Sequence, residues 1–162
     1  MHYFSRVLMM DFRDAVDATR QALEQHHLTI LAEIGLHDAM RRHLAVDFRP
    51  YVVLSTCNLP LARQALEADE NVGSILFCNV VVQQHGARCI EISAVDPDAT
   101  IGTINHVELV STSSELRTLM QHVIDDVAPF AKSRHGQRQR AAVEQEMARP
   151  KPLRKFSNKA QL

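Results

Sequence analysis

The sequence YVVLSTCNLPLARQALEADENVGSILFCNVV, residues 51–81, decides the fold because it predicts a strand, a helix and a second strand. Short β-branched apolar runs stand at both ends, and Asn58, followed two residues later by proline, is typical of a helix start. The dipeptide Cys-Asn occurs in this stretch twice, as Cys57-Asn58 and Cys78-Asn79. The two cysteines are therefore either a working pair or small side chains packed in a sheet.

Strand and helix patterns continue on both sides of this stretch. Apolar runs predict strands over residues 3–9 and 28–34, the second of them buried, and helical spacing predicts a helix over 11–27. A further helix is predicted over 37–46 with Met40 and Leu44 inside, and the helix that begins at Asn58 is predicted to pack through Leu61, Ala65 and Leu66. Strands are predicted over 75–83, 88–95 and 106–110. The last predicted helix covers 112–129 and begins with the capping box Thr112–Glu115. The body is thus predicted to be α+β, with about five or six strands and three or four helices.

Composition indicates a globular protein of one domain rather than a secreted or membrane protein. The chain has 162 residues, of which 46% are hydrophobic and 23% charged. No apolar run approaches the roughly 20 residues of a membrane span, and the first residues do not resemble an export signal. Three cysteines do not make a disulfide framework. We therefore expect a cytoplasmic protein with free thiols and no membrane contact.

Charge divides the chain near residue 131. Residues 132–162 hold nine of the 18 basic residues and two of the 19 acidic ones, so this segment carries +7 and residues 1–131 carry −8. The segment has few apolar residues, which predicts a flexible basic tail after a domain over 1–131. Such a tail is either a solubilising extension or a contact for nucleic acid or an acidic partner.

Cys57 lies where the predicted strand ends and the predicted helix begins. Backbone N–H groups and the helix dipole favour negative charge at such a junction. They would lower the pKa of a thiol there, or they would hold a carboxylate or phosphate ligand without thiol chemistry. Because free cysteine is among the most buried residue types, a packed and unreactive Cys57 is the third alternative.

Cys78 and Asn79 point to opposite faces of the second strand, because side chains alternate along a strand. Cys78 shares its face with Val80 and Val82, which favours packing over reactivity. Asn79 faces the other way, and its amide needs hydrogen-bond partners if it is buried. We therefore expect Asn79, rather than Cys78, to contact a ligand.

Glu33 is an acid in an otherwise apolar predicted strand, where it must be paired, exposed or part of a site. No metal site is predicted, because the sequence has no Cys-x-x-Cys spacing and no convergent histidine pair. A Gly-rich phosphate loop and a GxSxG motif are also absent from the sequence. The sequence identifies no cofactor and leaves open whether the protein is an enzyme.

The segments around both Cys-Asn pairs resemble a bacterial and archaeal family known as domain of unknown function 302. The resemblance covers residues 8–128. The motifs that carry it are Phe12 before the first helix, Ala32-Glu33-Ile34, the segment Cys57–Ala62, Leu66–Asp69, Cys78-Asn79-Val80 and Asp96-Pro97. This chain departs from the family pattern at Gly35, Leu59 and Phe77, and the last two stand in place of prolines.

The resemblance implies a compact α+β domain in which helices pack on an antiparallel sheet, and it implies a homodimer. It also implies a cleft lined by the family's recurring residues, which here are Glu33, Cys57, Asn58, Cys78, Asn79 and Asp96. The activity of the family is not established, so the resemblance implies no reaction.

Two functions follow from these observations. The first is a dimeric module that binds a small ligand, with anions among the candidates, in a cleft at the Cys57-Asn58 helix start. The alternative is a thiol-based redox or sulfur-transfer protein that uses Cys57 with Cys78 as its resolving partner. The alternative requires an accessible thiol of low pKa and two Cα atoms within about 7 Å of each other.

Overall fold

A computed structural model describes residues 3–74, 76–99 and 107–128; the predicted boundary at 131 and the basic tail over 132–162 lie outside these residues. The elements confirm the α+β class, and none of the described helices has the length and apolarity that crossing a bilayer requires. In chain order the elements are β1 (Tyr3–Met9), α1 (Phe12–Gln25), β2 (Thr29–Gly35), α2 (Leu36–Leu44), β3 (Tyr51–Cys57), α3 (Leu59–Ala68), a 3-10 turn (Glu70–Ser74), β4 (Cys78–Gly86), β5 (Cys89–Val95), a second 3-10 turn (Pro97–Ala99) and α4 (Val107–Asp126).

The strands form one five-stranded sheet in the order β1-β5-β4-β3-β2. Every neighbouring pair is antiparallel, as the resemblance implies. β4 and β5 are joined by a turn at Ala87 and Arg88, and Arg88 has a φ of 60°, in the left-handed region that tight turns use. The turn is shorter than the gap over residues 84–87 between the two predicted strands, because β4 continues to Gly86.

One face of the sheet is buried under α1 and α4 and forms the core. Leu54, Val80, Val82, Ile90 and Ile92 alternate along the three central strands on this face, and each is fully buried. Burying an aliphatic side chain of this size stabilises a fold by about 1.5–3 kcal/mol. The helices contribute buried residues at helical spacing, mainly Val16, Ala22 and Leu23 of α1 and Leu116, Met120 and Val123 of α4.

The opposite face of the sheet is partly or fully exposed, and we call it the open face. Its residues alternate with the buried ones and line up across the strands in register. The open face consists of Ala32, Ser55, Asn79, Val95 and Tyr3 in one row, Ile34, Val53, Val81, Ser93 and Ser5 in the next, and Tyr51, Gln83, Glu91 and Val7 in the third.

The prediction of a buried strand over 28–34 is right about the strand and wrong about its burial. β2 lies at the edge of the sheet, and Leu31 and Ile34 are 49% and 48% exposed. The register shifts at Leu31, which forms a bulge between Ile30 and Ala32. An apolar run of seven residues predicts a strand but does not distinguish a central strand from an edge strand.

Two leucines that were predicted to pack inside are exposed. Leu44 is 67% exposed, since α2 buries no residue. His37 joins α2 to β3, with its Nδ1 2.9 Å from the carbonyl oxygen of Tyr51. Leu66 is 43% exposed because α3 packs through Leu61, Ala62 and Ala65. A residue that follows Ala65 directly is turned about 100° away from it around the helix.

The predicted strand over 106–110 and the capping box after it are both wrong. α4 already begins at Val107, so Thr112 and Ser113 lie inside the helix and are buried. The hydroxyl of Ser113 donates a hydrogen bond to the Asp98 carboxylate instead of capping the helix. A partner distant in sequence thus satisfies a polar side chain that local spacing assigned to a helix start.

Candidate functional site

The junction between β3 and α3 places Cys57 and Asn58 side by side and buries both. Cys57 ends β3 and is 3% exposed, and Asn58 is the N-cap of α3 and is 9% exposed. The Oδ1 of Asn58 accepts a hydrogen bond from the backbone N–H of Leu61 at 3.1 Å, as the sequence predicted for a helix start. Its Nδ2 donates to the carbonyl oxygen of His27 at 3.5 Å and so ties α3 to the turn before β2.

The first turn of α3 offers little for an anion. Of the unpaired N–H groups with which a helix begins, that of Leu61 is taken by Asn58, and Pro60 has none. Ala62 already donates to the carbonyl of Asn58 at 2.9 Å. Within the described part of the chain, the N–H of Leu59 is therefore the first-turn donor left for an external acceptor.

Burial raises the pKa of both thiols at this junction. The pKa of Cys57 is raised by its removal from water, and that of Cys78 is raised from 9.0 to about 11 by burial and, second, by the neighbouring Cys57. Among the three alternatives for Cys57, the raised pKa favours a packed thiol over a reactive one, because removal from water disfavours the thiolate. Cys57 and Cys78 are free and buried, and Cys89 is buried as well.

Asn79 lies on the open face, opposite Ser55 of β3, and its side chain is exposed. Cys78 lies opposite Thr56 on the face of the sheet that α1 and α4 cover. The hydroxyl of Thr56 donates a hydrogen bond to the carbonyl oxygen of Cys78 at 3.0 Å. The alternation predicted from the sequence is thus confirmed. Within the described residues no hydrogen-bond partner stands next to the Asn79 amide, which leaves it available to a ligand.

Asp96 is buried, and its contacts hold parts of the fold together. It follows β5 and is 7% exposed. Its Oδ1 accepts from the backbone N–H of Asp98 at 3.0 Å, and its Oδ2 lies 3.0 Å from the Nε of Arg117, whose side chain is half exposed. The hydrogen bond that Arg117 donates to Asp96 raises the pKa of Arg117, so the guanidinium stays charged and, through Asp96 and Asp98, anchors α4 to the second 3-10 turn.

Glu33 makes an ion pair at the surface. The side chain is 40% exposed, and it accepts hydrogen bonds from the Nε of Arg20 on α1 at 3.1 Å and from the Nη2 of Arg20. Arg20 also contacts Asp17, and the hydrogen bond to Glu33 raises the pKa of Arg20. Exposed pairs of this kind contribute about 0–1 kcal/mol. These contacts give Glu33 the paired role among the alternatives that the sequence left open.

The structure brings five of the six predicted site residues to one end of the sheet. β3 ends at Cys57, β4 begins at Cys78, and β5 ends just before Asp96; we call this the Cys57 end. Val80 of β4 pairs with Ala94 of β5 in antiparallel register. Cys78, two residues before Val80, and Asp96, two residues after Ala94, therefore lie at the same end. Glu33 lies apart from this end, at mid-strand beside Leu54.

A cavity of about 150 Å³ lies between β1 and α4 and is lined by Phe4, Arg117, Thr118, Gln121 and His122. None of the predicted site residues lines it, although Arg117 joins it to Asp96. The Arg117 guanidinium lies 5.7 Å from the centre of the Phe4 ring. Sequence reasoning missed Arg117 and Phe4, because an arginine on a helix and an aromatic residue in a strand give no signal until the fold joins them.

Comparisons with known proteins give a family and a fold. The family model described as "Domain of unknown function DUF302" matches residues 4–127. The crystal structure of an uncharacterized conserved protein DUF302 from Bacillus stearothermophilus is similar with a TM-score of 0.72 and 20% sequence identity, and the match covers 79% of this chain and 99% of that one. No curated protein matches the sequence. The family match spans the sheet, its helices and every predicted site residue, so the chain belongs to the domain of unknown function DUF302 family.

Proposed function

We propose that this domain is a cytoplasmic homodimer that binds a small, mainly apolar ligand with one neutral polar group at the Cys57 end of the sheet. The observation that carries the proposal is the exposure of Leu59 and Phe77, 51% and 48%, next to the buried Cys57 and Cys78. Large apolar side chains exposed together mark binding sites for ligands or partners. The homodimer follows from the family resemblance, and the cytoplasmic location from the free thiols of Cys57 and Cys78.

Register supports a common position for these apolar residues. Thr56 pairs with Cys78 in antiparallel register. Cys57, which follows Thr56, and Phe77, which precedes Cys78, therefore lie at the same level. Leu59 follows Cys57 by two residues and begins α3. An apolar group bound between Leu59 and Phe77 would lie over the buried thiol without access to it.

The polar groups at this end favour a neutral ligand over an anion. The N–H of Leu59 provides one donor, and the exposed amide of Asn79 provides both a donor and an acceptor. Arg117, the nearest cation to Asp96, is already paired with Asp96 and Asp98. An anionic ligand could accept from these two donors but would gain no free charge from Arg117 and could not use the acceptor of Asn79, whereas an amide could use both donors and the acceptor.

Thermal denaturation of the full chain with three matched probes tests this proposal. The probes are N-methyloctanamide, octanoate and octyl phosphate, which share an apolar chain and differ in the polar group. We expect N-methyloctanamide to raise the Tm, because a ligand at 100 times its Kd stabilises the folded state by about 2.7 kcal/mol. A rise with octanoate or octyl phosphate alone would support an anionic ligand instead, and no rise with any probe would contradict the proposal.

A matched pair of leucines locates the site. Leu59 and Leu44 are both exposed, 51% and 67%, but Leu44 lies on α2, which follows β2 at the other end of the sheet. We expect Leu59→Ser to abolish the rise in Tm with N-methyloctanamide and Leu44→Ser to retain it. Equal rises in both variants would mean that the probe binds elsewhere.

The thiol-based alternative has one observation in its favour. Cys57 follows Thr56, which pairs with Cys78, so the two cysteines lie on neighbouring strands at the same end of the sheet. Both thiols are buried and have raised pKa values, whereas a reactive thiol needs access and a lowered pKa. Thiol chemistry at this pair would need local opening of the Cys57 end, so we place ligand binding first.

A further inference from the structure

We infer that the open face of the sheet is the surface through which two copies of this chain associate. The inference rests on the homodimer of the proposed function and assigns its interface. It follows from the chemistry of the open face, from its size and from its complementarity to itself.

The open face has the wrong composition for a face that stays in water. Solvated faces of antiparallel sheets carry polar and charged residues that alternate with the buried ones. Here the middle row consists of Ile34, Val53, Val81, Ser93 and Ser5, one residue from each strand. The row crosses the whole sheet with three aliphatic side chains, two serines and no charge.

The single charged side chain of the open face, Glu91, is already paired. Its Oε2 accepts a hydrogen bond from the Nε2 of Gln83 at 2.9 Å and lies 2.6 Å from the Nε2 of His85. The Oε1 of Gln83 accepts in turn from Arg49, whose Nη2 lies 2.7 Å away. Because the carboxylate keeps these partners, covering this row does not leave an unpaired charge in the interface.

A second copy fits this surface better than a different protein does. A two-fold interface apposes a surface to itself, so like charges would meet and repel. The open face avoids that conflict because its middle row is uncharged and small, with Ser5 and Ser93 beside Val81. Two such faces can pack as aligned sheets about 10 Å apart. The charged groups at the open face, Glu91 and the Arg49 guanidinium that donates to Gln83, are confined to the third row, so the open face presents no broad charged patch to a charged partner.

The size of the open face also matches a dimer interface. Five strands about 4.8 Å apart and seven residues of about 3.3 Å each give a flat footprint of roughly 550 Å². Side-chain relief raises the accessible area above this footprint. A standard interface takes about 600–1,000 Å² from each partner, so the open face is large enough to hold a dimer without help from other elements.

Sedimentation equilibrium of the full chain, with charges placed on and off the open face, tests the inference. Ser5→Lys and Val81→Lys put a charge on the middle row, and Ser114→Lys puts the same charge on an exposed position of α4. We expect wild type and Ser114→Lys to have about twice the mass of the 18.3 kDa chain, and both open-face variants to be monomers with an unchanged circular dichroism spectrum. Because Ser5 is exposed on an edge strand, Ser5→Lys keeps the test informative if Val81→Lys does not fold.

The outcomes separate the interface from the homodimer itself. A monomeric wild type at 100 µM would overturn both the homodimer and this inference. A dimeric wild type that stays dimeric in folded Ser5→Lys and Val81→Lys would keep the homodimer and overturn the open face as its interface. Loss of the dimer in Ser114→Lys as well would also overturn the inference, because the effect would then be one of net charge. Asn79 belongs to both surfaces, but the ligand is tested at Leu59, which lies outside the open face, so the two tests remain separate.

Discussion

The two Cys-Asn pairs lie at the same end of the sheet, yet one asparagine is buried and hydrogen-bonded while the other is exposed. Asn58 follows the end of β3, is buried, and uses both ends of its amide to start α3 and to hold the turn before β2. Asn79 is the second residue of β4, where alternation directs it onto the open face and exposes its amide. The position of each asparagine relative to a strand end decides whether it stabilises the fold or stays available for contacts.

The cysteines of the two pairs, by contrast, behave alike. Both are buried, both are free, and burial raises the pKa of each. A repeated dipeptide in the sequence therefore does not indicate a repeated function or a reactive pair. It indicates two small side chains that close the Cys57 end from the inside, while the residues beside them, Leu59, Phe77 and Asn79, face outward.

The largest effect should come from alkaline pH, which lowers the stability of the fold through Cys78. The pKa of Cys78 is raised from 9.0 to about 11, so between these values the unfolded chain loses its thiol proton while the folded chain keeps it. The unfolded state then binds fewer protons, and the free energy of unfolding falls as the pH rises. Two pH units correspond to about 2.7 kcal/mol. Urea denaturation at pH 8 and pH 11 measures this loss.

Cys78→Ala is the control for the alkaline loss. The variant keeps Cys57, the tyrosines and the lysines, so its stability should fall by about 2.7 kcal/mol less than that of wild type over the same pH interval. Equal losses in the two proteins would show that Cys78 titrates as an exposed thiol does.

Asn58→Ala should give the next largest effect, a loss of about 1–2 kcal/mol in the free energy of unfolding. The substitution removes the acceptor for the Leu61 N–H and the donor to the His27 carbonyl. Asn58→Asp keeps the cap and should recover most of the loss, which urea denaturation at pH 7 can measure. If Asn58→Asp is as unstable as Asn58→Ala, the contact with His27 and not the cap holds the junction.

Asn79→Ala should give the smallest effect, within about 0.5 kcal/mol of wild type. The side chain is exposed and has no described hydrogen-bond partner, so its removal leaves no buried group unsatisfied. The same urea denaturation, at the same protein concentration as for Asn58→Ala, compares the two asparagines directly. A loss as large as that of Asn58→Ala would contradict the division of roles between them.

The sequence predicts the strands and helices of this fold where local pattern decides them. β1, α1, β3 and the cap at Asn58 follow from alternation, helical spacing and turn chemistry, and the structure has them where predicted. The exposure of β2 was not predictable, because the place of a strand in the sheet order is set by its neighbours. The start of α4 was missed because Asp98, distant in sequence, satisfies Ser113 inside the helix.

The candidate site was predicted only in part, because some of its contacts join residues that are distant in sequence. The resemblance supplied the residues at the Cys57 end, whereas local reasoning supplied the alternation that separates Cys78 from Asn79. The sequence left a packed Cys57 as one of three alternatives and could not choose among them, because burial depends on what packs over a junction. The pairing of Asp96 with Arg117 was also not predictable, since these residues meet only when α4 folds against β5.

Alkylation of the native, reduced protein by iodoacetamide, followed by mass spectrometry at each cysteine from pH 7 to pH 10, tests most directly that the Cys57 end works by binding and not by thiol chemistry. We predict that Cys57 and Cys78 react at the rate at which the protein unfolds, and that neither shows an apparent pKa below 9. Rapid modification of Cys57 in the folded protein, with an apparent pKa well below 8, would contradict this account and make the thiol-based alternative the leading function.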